Sequence, residues 1–163
     1  MRSGTRSQCK SRWSRKAHRP VCHMKVGYQF CYLYAALCPF TGHLFSLILP
    51  DMRKASFCLF SKYFSQHVKR RYRKAPVLLI ADGAGAHQTD VCLRYGITLQ
   101  RLPAACPELN PVERFFEELR KEMSNHVCHT IKSVENHLCR VLNKYYHNKK
   151  LLIQLCQYPY TRT

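Results

Sequence analysis

Acidic residues are scarce in this sequence of 163 residues. It has 9 Asp and Glu against 27 Lys and Arg, which gives a formal net charge of +18. This imbalance excludes a neutral surface and indicates a polyanionic partner, for which nucleic acid is the simplest choice. Charge by itself leaves acidic membrane surfaces and ribosomal RNA open as alternative partners.

The sequence also lacks signals for secretion and for membrane insertion. The N-terminus is basic and polar and has no apolar stretch behind it, so no signal peptide is predicted. Residues 26–50 contain no Asp, Glu, Lys or Arg, but Pro39, Gly42 and His43 divide them into halves too short to span a bilayer. We interpret this stretch as a buried hairpin.

None of the ten cysteines forms a Cys-x-x-Cys pair. Several lie in apolar surroundings, namely Cys31, Cys38, Cys58 and Cys92. We interpret the ten as reduced, mostly buried thiols of an intracellular protein, in preference to a disulfide framework.

The hydrophobic fraction of 46% suits a folded chain and is too high for a disordered tail. The length predicts one domain, without room for a second large one. Charge is distributed unevenly: residues 1–25 and 53–74 each hold eight basic residues and no acid, whereas residues 82–122 hold seven of the nine acids. A carboxylate site within a basic surface would explain this distribution.

Hydrophobic patterns predict strands and helices in alternation after an initial hairpin. The predicted strands are 28–37, 43–49, 77–81 (a continuous apolar run, expected to be buried on both faces) and 97–102. The predicted helices are 55–68, 89–95, a strong one from Asn110 to Met123, and a helical tail to about 155. This order predicts an α/β fold with a mixed sheet.

Asp82 directly follows the apolar run 77–81, at the strand end where α/β sheets place ligands. Gly83 and Gly85 would let the backbone approach a phosphate or a metal, and His87 comes next. The alternative is that Asp82 and Gly83 only form a turn.

Glu113 lies in the first turn of the strong helix, beside its apolar stripe, and can therefore face the sheet. The alternative is structural: Asn110 and Glu113 fit a relaxed capping box, in which Glu113 would bond back to the amide of the cap residue.

Carboxylates converging from a strand end and a helix make a hard-oxygen site, which Mg²⁺ or Mn²⁺ prefers. Two such ions about 4 Å apart can activate a water or a 3′-hydroxyl during phosphodiester cleavage. A zinc site is the weaker alternative, because the spacing of His126, Cys128, His129, His137 and Cys139 matches no well-specified zinc finger.

A stretch from Leu78 to Glu113 resembles the catalytic core of DDE transposases of the mariner superfamily, especially the bacterial insertion-sequence branch. The matching segments are Leu79-Ile80-Ala81-Asp82-Gly83-Ala84-Gly85-Ala86-His87, Leu102-Pro103 and Cys106-Pro107-Glu108-Leu109-Asn110-Pro111-Val112-Glu113. Residues 19–20, 27–37 and 41–50 resemble the hairpin of the family.

The resemblance implies an RNase H-like fold and a nuclease and strand-transfer mechanism that uses two Mg²⁺ or Mn²⁺ ions. By match of motif, Asp82 is the second catalytic and metal-binding carboxylate and Glu113 the third. We divide the chain into a basic irregular arm (1–20), a partial RNase H-like catalytic core (21–126) and a C-terminal helical tail (127–163). DNA, at transposon ends, is the implied substrate, with a homodimer as the implied assembly and the bacterial cytoplasm or nucleoid as the implied location.

One departure concerns the first catalytic Asp of the family, which lies just before the segment that Met1 to Thr5 resembles. No acid precedes Asp51, which ends a hairpin strand, and we do not assign it this role. We therefore expect the isolated chain to lack one metal ligand, normal transposase activity and the opening strand of its sheet. The competing hypothesis is a non-enzymatic, basic nucleic-acid-binding protein. The residues expected to contact nucleic acid are His87, Arg12, Lys16, Arg70, Arg71, Arg73 and Lys74.

Overall fold

The computed structural model describes residues 1–11, 13–73 and 75–158. Its strands are β1 (Arg2–Gly4), β2 (Phe30–Cys38), β3 (His43–Leu49), β4 (Val77–Ala81) and β5 (Ile97–Arg101). Its α-helices are α1 (Lys54–Tyr72), α2 (Thr89–Arg94), α3 (Pro111–Met123), α4 (Ile131–His147) and α5 (Lys149–Cys156). This order confirms the predicted α/β alternation after a hairpin.

The hairpin of β2 and β3 is antiparallel, with a register that runs from Tyr32 opposite Leu49 to Cys38 opposite His43. Gly42 makes the turn possible. Its φ is 63°, a left-handed conformation that suits glycine, and its amide donates a hydrogen bond to the Cys38 carbonyl at 2.9 Å.

Side chains of the hairpin alternate between two cores, because successive residues of a strand point to opposite faces. One face, with Leu33 and Leu44, packs against α3, α4 and α5. The other face, with Tyr34 and Leu49, packs against a cluster from α1, α2 and β5. The hairpin is therefore the layer between two groups of helices.

Strands β4 and β5 pair in parallel as a separate two-stranded sheet. The prediction that β4 is buried on both faces is wrong, because Leu78 and Ile80 are 61% and 49% exposed. Val77 and Leu79 pack against the α1–α2 cluster, whereas the opposite face of this small sheet has no covering layer among the described residues.

The opening strand is short but present, which corrects the expectation that it is missing. Residues Arg2–Gly4 form β1 and pair antiparallel with β2, with Ser3 opposite Cys31. The expectation of an irregular arm over 1–20 is corrected at these three residues. Their pairing with β2 makes β1 an edge strand of the three-stranded sheet β1-β2-β3.

Helix α3 begins as the sequence predicts. The Asn110 side chain accepts a hydrogen bond from the Val112 amide at 3.3 Å, and Pro111 occupies the first helical turn. Phe115, Phe116 and Leu119 are buried, which confirms the apolar stripe. The C-terminal helices complete this core with Leu138, Leu142, Tyr145 and Leu152.

The expectation that most cysteines are buried is wrong. Only Cys31, Cys92 and Cys156 are buried, and Cys9 and Cys139 are exposed. Apolar sequence neighbours did not predict burial for Cys38 and Cys58, which are partly exposed, because burial depends on what packs over a position. Among the helices described, none combines the length and apolar composition needed to cross a membrane.

Candidate active site

Asp82 is the first residue after β4, at the carboxyl end of the parallel pair. The pairing continues one step beyond the strands, since the Leu102 amide donates to the Ala81 carbonyl at 2.8 Å. Asp82 is therefore placed by the sheet itself, at the edge where parallel strands present ligands.

The loop after Asp82 turns back toward its carboxylate. The Ala84 amide donates to Asp82 Oδ1 at 3.3 Å, and His87 Nδ1 lies 2.8 Å from the same oxygen. The His87 side chain is only 14% exposed and its ring lies 4.8 Å from that of Phe57. Arg101 donates to the His87 carbonyl at 2.7 Å, so the loop is fixed to β5 as well.

Glu113 lies in the first turn of α3, and it does not form the capping box that the sequence offered as an alternative. The Asn110 amide donates instead to the Pro107 carbonyl at 3.0 Å. The Glu113 carboxylate is one-third exposed and lies 3.6 Å from Arg120 Nη2. It is therefore available to the space between α3 and β4.

Asp82 and Glu113 line one cavity of about 230 Å³. Its other lining residues are Gly83, Leu102, Pro103, Ala105, Cys106, Pro107 and Asn110. Burial is the main reason that the pKa of the Met1 α-amino group is lowered to about 6; the charge of Arg120 also lowers it, whereas the charges of Glu113 and Asp82 act in the opposite direction. The structure thus brings together the two carboxylates singled out from the sequence and the start of β1.

The carboxylate oxygens at this cavity meet part of the coordination that a hard divalent cation needs. Mg²⁺ is commonly held by one or two carboxylates, with waters or phosphate oxygens completing its shell. Asp82 and Glu113 supply two carboxylates and Gly83 leaves open space, with nothing within 4 Å of the position a Cβ would take. In the described ranges no group of three or more His, Cys, Asp or Glu side chains is suited to a metal.

The alternative zinc ligands do not converge into such a group. The rings of His126 and His137 pack 4.4 Å apart, and Nε2 of His137 is buried without a hydrogen-bond partner. Cys139 lies exposed on α4. His126, Cys128 and His129 lie in the connection between α3 and α4, and His137 and Cys139 lie on α4.

The basic residues expected to contact nucleic acid lie in several places. Lys16 is exposed in the loop between β1 and β2, and Arg70, Arg71 and Arg73 are exposed at the end of α1. That helix end precedes β4, whereas Asp82 follows it, so the strand separates them by roughly 16 Å. Arg12 and Lys74 lie outside the described residues.

Sequence reasoning missed the basic side chain beside Glu113. Arg120 pairs with Glu113 and also lines a shallow second cavity with Arg2 and Arg6. The signal for Arg120 was its spacing, seven residues after Glu113, which puts both on one face of a helix. Arg2 and Arg6 gave no such signal, because their position depends on β1 pairing.

Comparisons with known proteins place this geometry in context. A family model described as DDE superfamily endonuclease matches residues 3–136. A relative from Sinorhizobium fredii (strain NBRC 101917 / NGR234), described as uncharacterized protein y4pE/y4sA, is 31% identical over 121 residues, which cover 71% of this chain and 84% of the relative.

A solved structure, described as the Mos1 transposase paired-end complex with left transposon end, matches with a TM-score of 0.63. The identity is 12%, and the match covers 97% of this chain and 54% of that chain. This chain therefore spans about half the length of the Mos1 chain. At this identity the likeness concerns the fold, and it confirms the expected RNase H-like class. The expected mixed sheet is instead two sheets in the described residues, the antiparallel β1-β2-β3 and the parallel β4-β5.

Proposed function

The chain belongs to the DDE superfamily endonuclease family, and we propose that it is the catalytic part of a transposase-type DNA nuclease in which Asp82 and Glu113 bind a divalent metal ion. The observation that carries this proposal is that both carboxylates line one cavity although 30 residues separate them in the sequence. We place the catalytic core at residues 21–126 together with β1, the rest of 1–20 as a basic arm and 127–163 as a helical tail.

In this proposal the residues of the chain have distinct tasks. Asp82 and Glu113 supply the oxygen ligands for Mg²⁺ or Mn²⁺. Such ions, when bound, lower the pKa of an attacking water or hydroxyl and stabilise the leaving oxygen. His87 orients the Asp82 carboxylate, and Arg120 does the same for Glu113 while it balances the charge. Both are positioning residues.

The proposed substrate is DNA. The net charge of +18 supports a phosphate-bearing partner, and the Mos1 protein is described in complex with a transposon end. Arg120 lies 3.6 Å from Glu113 and lines a second cavity together with Arg2 and Arg6, so these arginines would supply positive charge for a DNA strand on the α3 side of the site. We propose transposon ends as the target and two copies of the chain as the assembly, both by analogy with that paired-end complex.

Metal binding tests the proposal directly. Titration with Mn²⁺, followed by electron paramagnetic resonance of the free ion, should show binding that Asp82→Asn and Glu113→Gln each weaken at least about tenfold. Asp90→Asn is the matched control, because Asp90 is an exposed carboxylate on α2 that pairs with Lys54 at 3.7 Å. Binding that both site variants leave unchanged would contradict the metal role.

A non-enzymatic nucleic-acid-binding function is the second candidate, and one observation favours it. Each carboxylate already has a partner, the His87 imidazole for Asp82 and the Arg120 guanidinium for Glu113, so both could be structural. This candidate predicts DNA binding by the wild-type chain without Mn²⁺ binding. The first predicts that Asp82→Asn loses Mn²⁺ but keeps its DNA affinity.

A further inference from the structure

The segment between β1 and β2 folds back on itself as an irregular two-stranded arm. The Thr5 amide donates to the Gln29 carbonyl at 3.0 Å, and the Ser7 amide to the Lys25 carbonyl at 3.0 Å. One step further out, Sγ of Cys9 lies 3.3 Å from Sγ of Cys22. The two thiols therefore face each other at the base of the loop that joins the two sides of the arm.

The base of this loop is anchored to the connection between α3 and α4. Asn125 donates its amide to the Gln8 carbonyl at 2.8 Å, and its side-chain oxygen accepts from the Lys10 amide at 3.1 Å and lies 3.7 Å from Cys22 Sγ. Lys25 Nζ donates to the His129 carbonyl at 2.7 Å. Because both sides of the arm are held in place, the two thiols are already next to each other before oxidation.

We propose that Cys9 and Cys22 form a reversible disulfide that closes this loop. The bond requires the sulfur atoms to approach from 3.3 Å to about 2.05 Å, a small movement for two side chains. Cys9 is exposed and Cys22 partly exposed, so a soluble oxidant reaches both.

The three buried thiols are less reactive than those of the arm. Burial raises the pKa of Cys31 and of Cys156 to about 11, and raises the pKa of Cys92 as well. These three stay protonated near neutral pH, and the thiolate is the form that exchanges with disulfides. Oxidation of the arm is therefore favoured over oxidation of these three buried thiols.

The reaction with glutathione disulfide balances as two exchange steps. One protein thiolate attacks a sulfur of glutathione disulfide, which forms a mixed disulfide and releases one glutathione thiolate. The second protein thiolate attacks the protein-side sulfur of that mixed disulfide, and the second glutathione leaves. Two electrons pass from the protein sulfurs to glutathione, and the two protons lost by the protein thiols are taken up by the two leaving thiolates.

Closure should limit the motion of a loop that carries basic side chains and Trp13. Trp13 is the one tryptophan of the sequence and is fully exposed. A crosslink removes conformations from the loop by tying its ends together. The fluorescence anisotropy of Trp13 therefore reports closure without any assay of DNA or metal binding.

The test oxidises the full chain with glutathione disulfide and maps it by mass spectrometry without reduction. Trypsin leaves Cys9 in peptide 7–10 and Cys22 in peptide 17–25, because the bond between Arg19 and Pro20 resists cleavage. We expect these two peptides as one crosslinked species, about tenfold more abundant than any other pair, with reversal by dithiothreitol. The anisotropy of Trp13 should rise in the wild type and fall back on reduction.

Two variants are matched for this test. Cys9→Ser should abolish both the crosslinked species and the rise in anisotropy, whereas Cys139→Ser, which removes an exposed cysteine elsewhere, should keep both. Crosslinks that mainly join other cysteines or separate chains, or free thiols at Cys9 and Cys22 after oxidation, would overturn the proposal. Neither result bears on the metal-binding role of Asp82 and Glu113.

Discussion

His87 Nδ1 lies 2.8 Å from Oδ1 of Asp82, and the His87 side chain is nearly enclosed while the Asp82 side chain is 59% exposed. An enclosed imidazole thus fixes the direction of a carboxylate that remains open to the cavity. The His87 ring lies 4.8 Å from the ring of Phe57 on α1. The side chain that orients the carboxylate is therefore itself held by packing against α1.

Removing this imidazole should weaken the site without unfolding the protein. We expect His87→Ala to lower Mn²⁺ affinity by about 10-fold to 100-fold, because outer partners that orient metal ligands have effects of this size. Isothermal titration measures the change, and circular dichroism checks the fold. His147→Ala is the control, since His147 is exposed at the end of α4. Equal affinities in the two variants would show that His87 does not position Asp82.

Gly42 should be far less tolerant of substitution than Gly96. Both have positive φ, 63° and 72°, so alanine strains the backbone at either position by about 1–2 kcal/mol. At Gly42 an added Cβ would also come within 2.4 Å of the Lys149 carbonyl oxygen, whereas at Gly96 it meets nothing within 4 Å. Urea unfolding should therefore rank Gly42→Ala as less stable than Gly96→Ala. The opposite ranking would contradict the close packing of the turn against the start of α5.

Glu122 should make stability depend on pH in the acid range. Burial raises its pKa, but hydrogen bonds from Lys144 at 2.8 Å and Tyr145 at 2.6 Å outweigh burial, and the net pKa is lowered from 4.5. A lowered carboxyl pKa stabilises the folded state above the unfolded pKa, and this contribution disappears as the pH falls through the folded pKa.

The test of this linkage compares the wild type with Glu122→Gln. The difference in unfolding free energy should be largest near neutral pH and should shrink as the pH falls below about 4.5. Glu117→Gln controls for the loss of an acidic charge on the same helix. A difference that stays constant down to pH 3, or one that grows, would be inconsistent with a lowered pKa.

DNA affinity should fall steeply with salt. The logarithm of the binding constant is expected to decrease with the logarithm of salt concentration at a slope of roughly −0.9 for each phosphate contacted. Arg70→Ala should make the slope shallower by about one contact, whereas Lys54→Ala should change it less, because Lys54 already lies 3.7 Å from Asp90. Fluorescence polarisation with a labelled duplex measures both slopes. An affinity independent of salt would refute binding through the basic surface.

Much of the local structure follows from sequence patterns. Strand β3 has the predicted bounds 43–49 and β4 the predicted bounds 77–81, and α3 begins after Asn110 as its capping signal indicates. These elements depend on neighbours a few residues away, through side-chain alternation, helix periodicity and turn chemistry. The order of the elements, and hence the α/β class, could be inferred from them.

Burial was harder to predict, because it depends on what packs over a residue. The apolar run of β4 suggested two covered faces, but Leu78 and Ile80 are exposed. Likewise Cys38 and Cys58, predicted as buried thiols, are partly exposed. In both cases the local sequence is apolar, and only the arrangement of the helices around the sheets decides which apolar side chains are covered.

The sequence by itself determined the net charge of +18, the identity of Asp82 and Glu113 as candidate ligands, and the elements that carry them. The tertiary structure decided that both line one cavity, that His87 and Arg120 contact them, and that Cys9 faces Cys22. The physical reason is that these contacts depend on how strands pair, helices pack and loops turn. Asp82 and Glu113 are 31 positions apart and Cys9 and Cys22 are 13 positions apart, and the sequence around these residues does not record which of them come together.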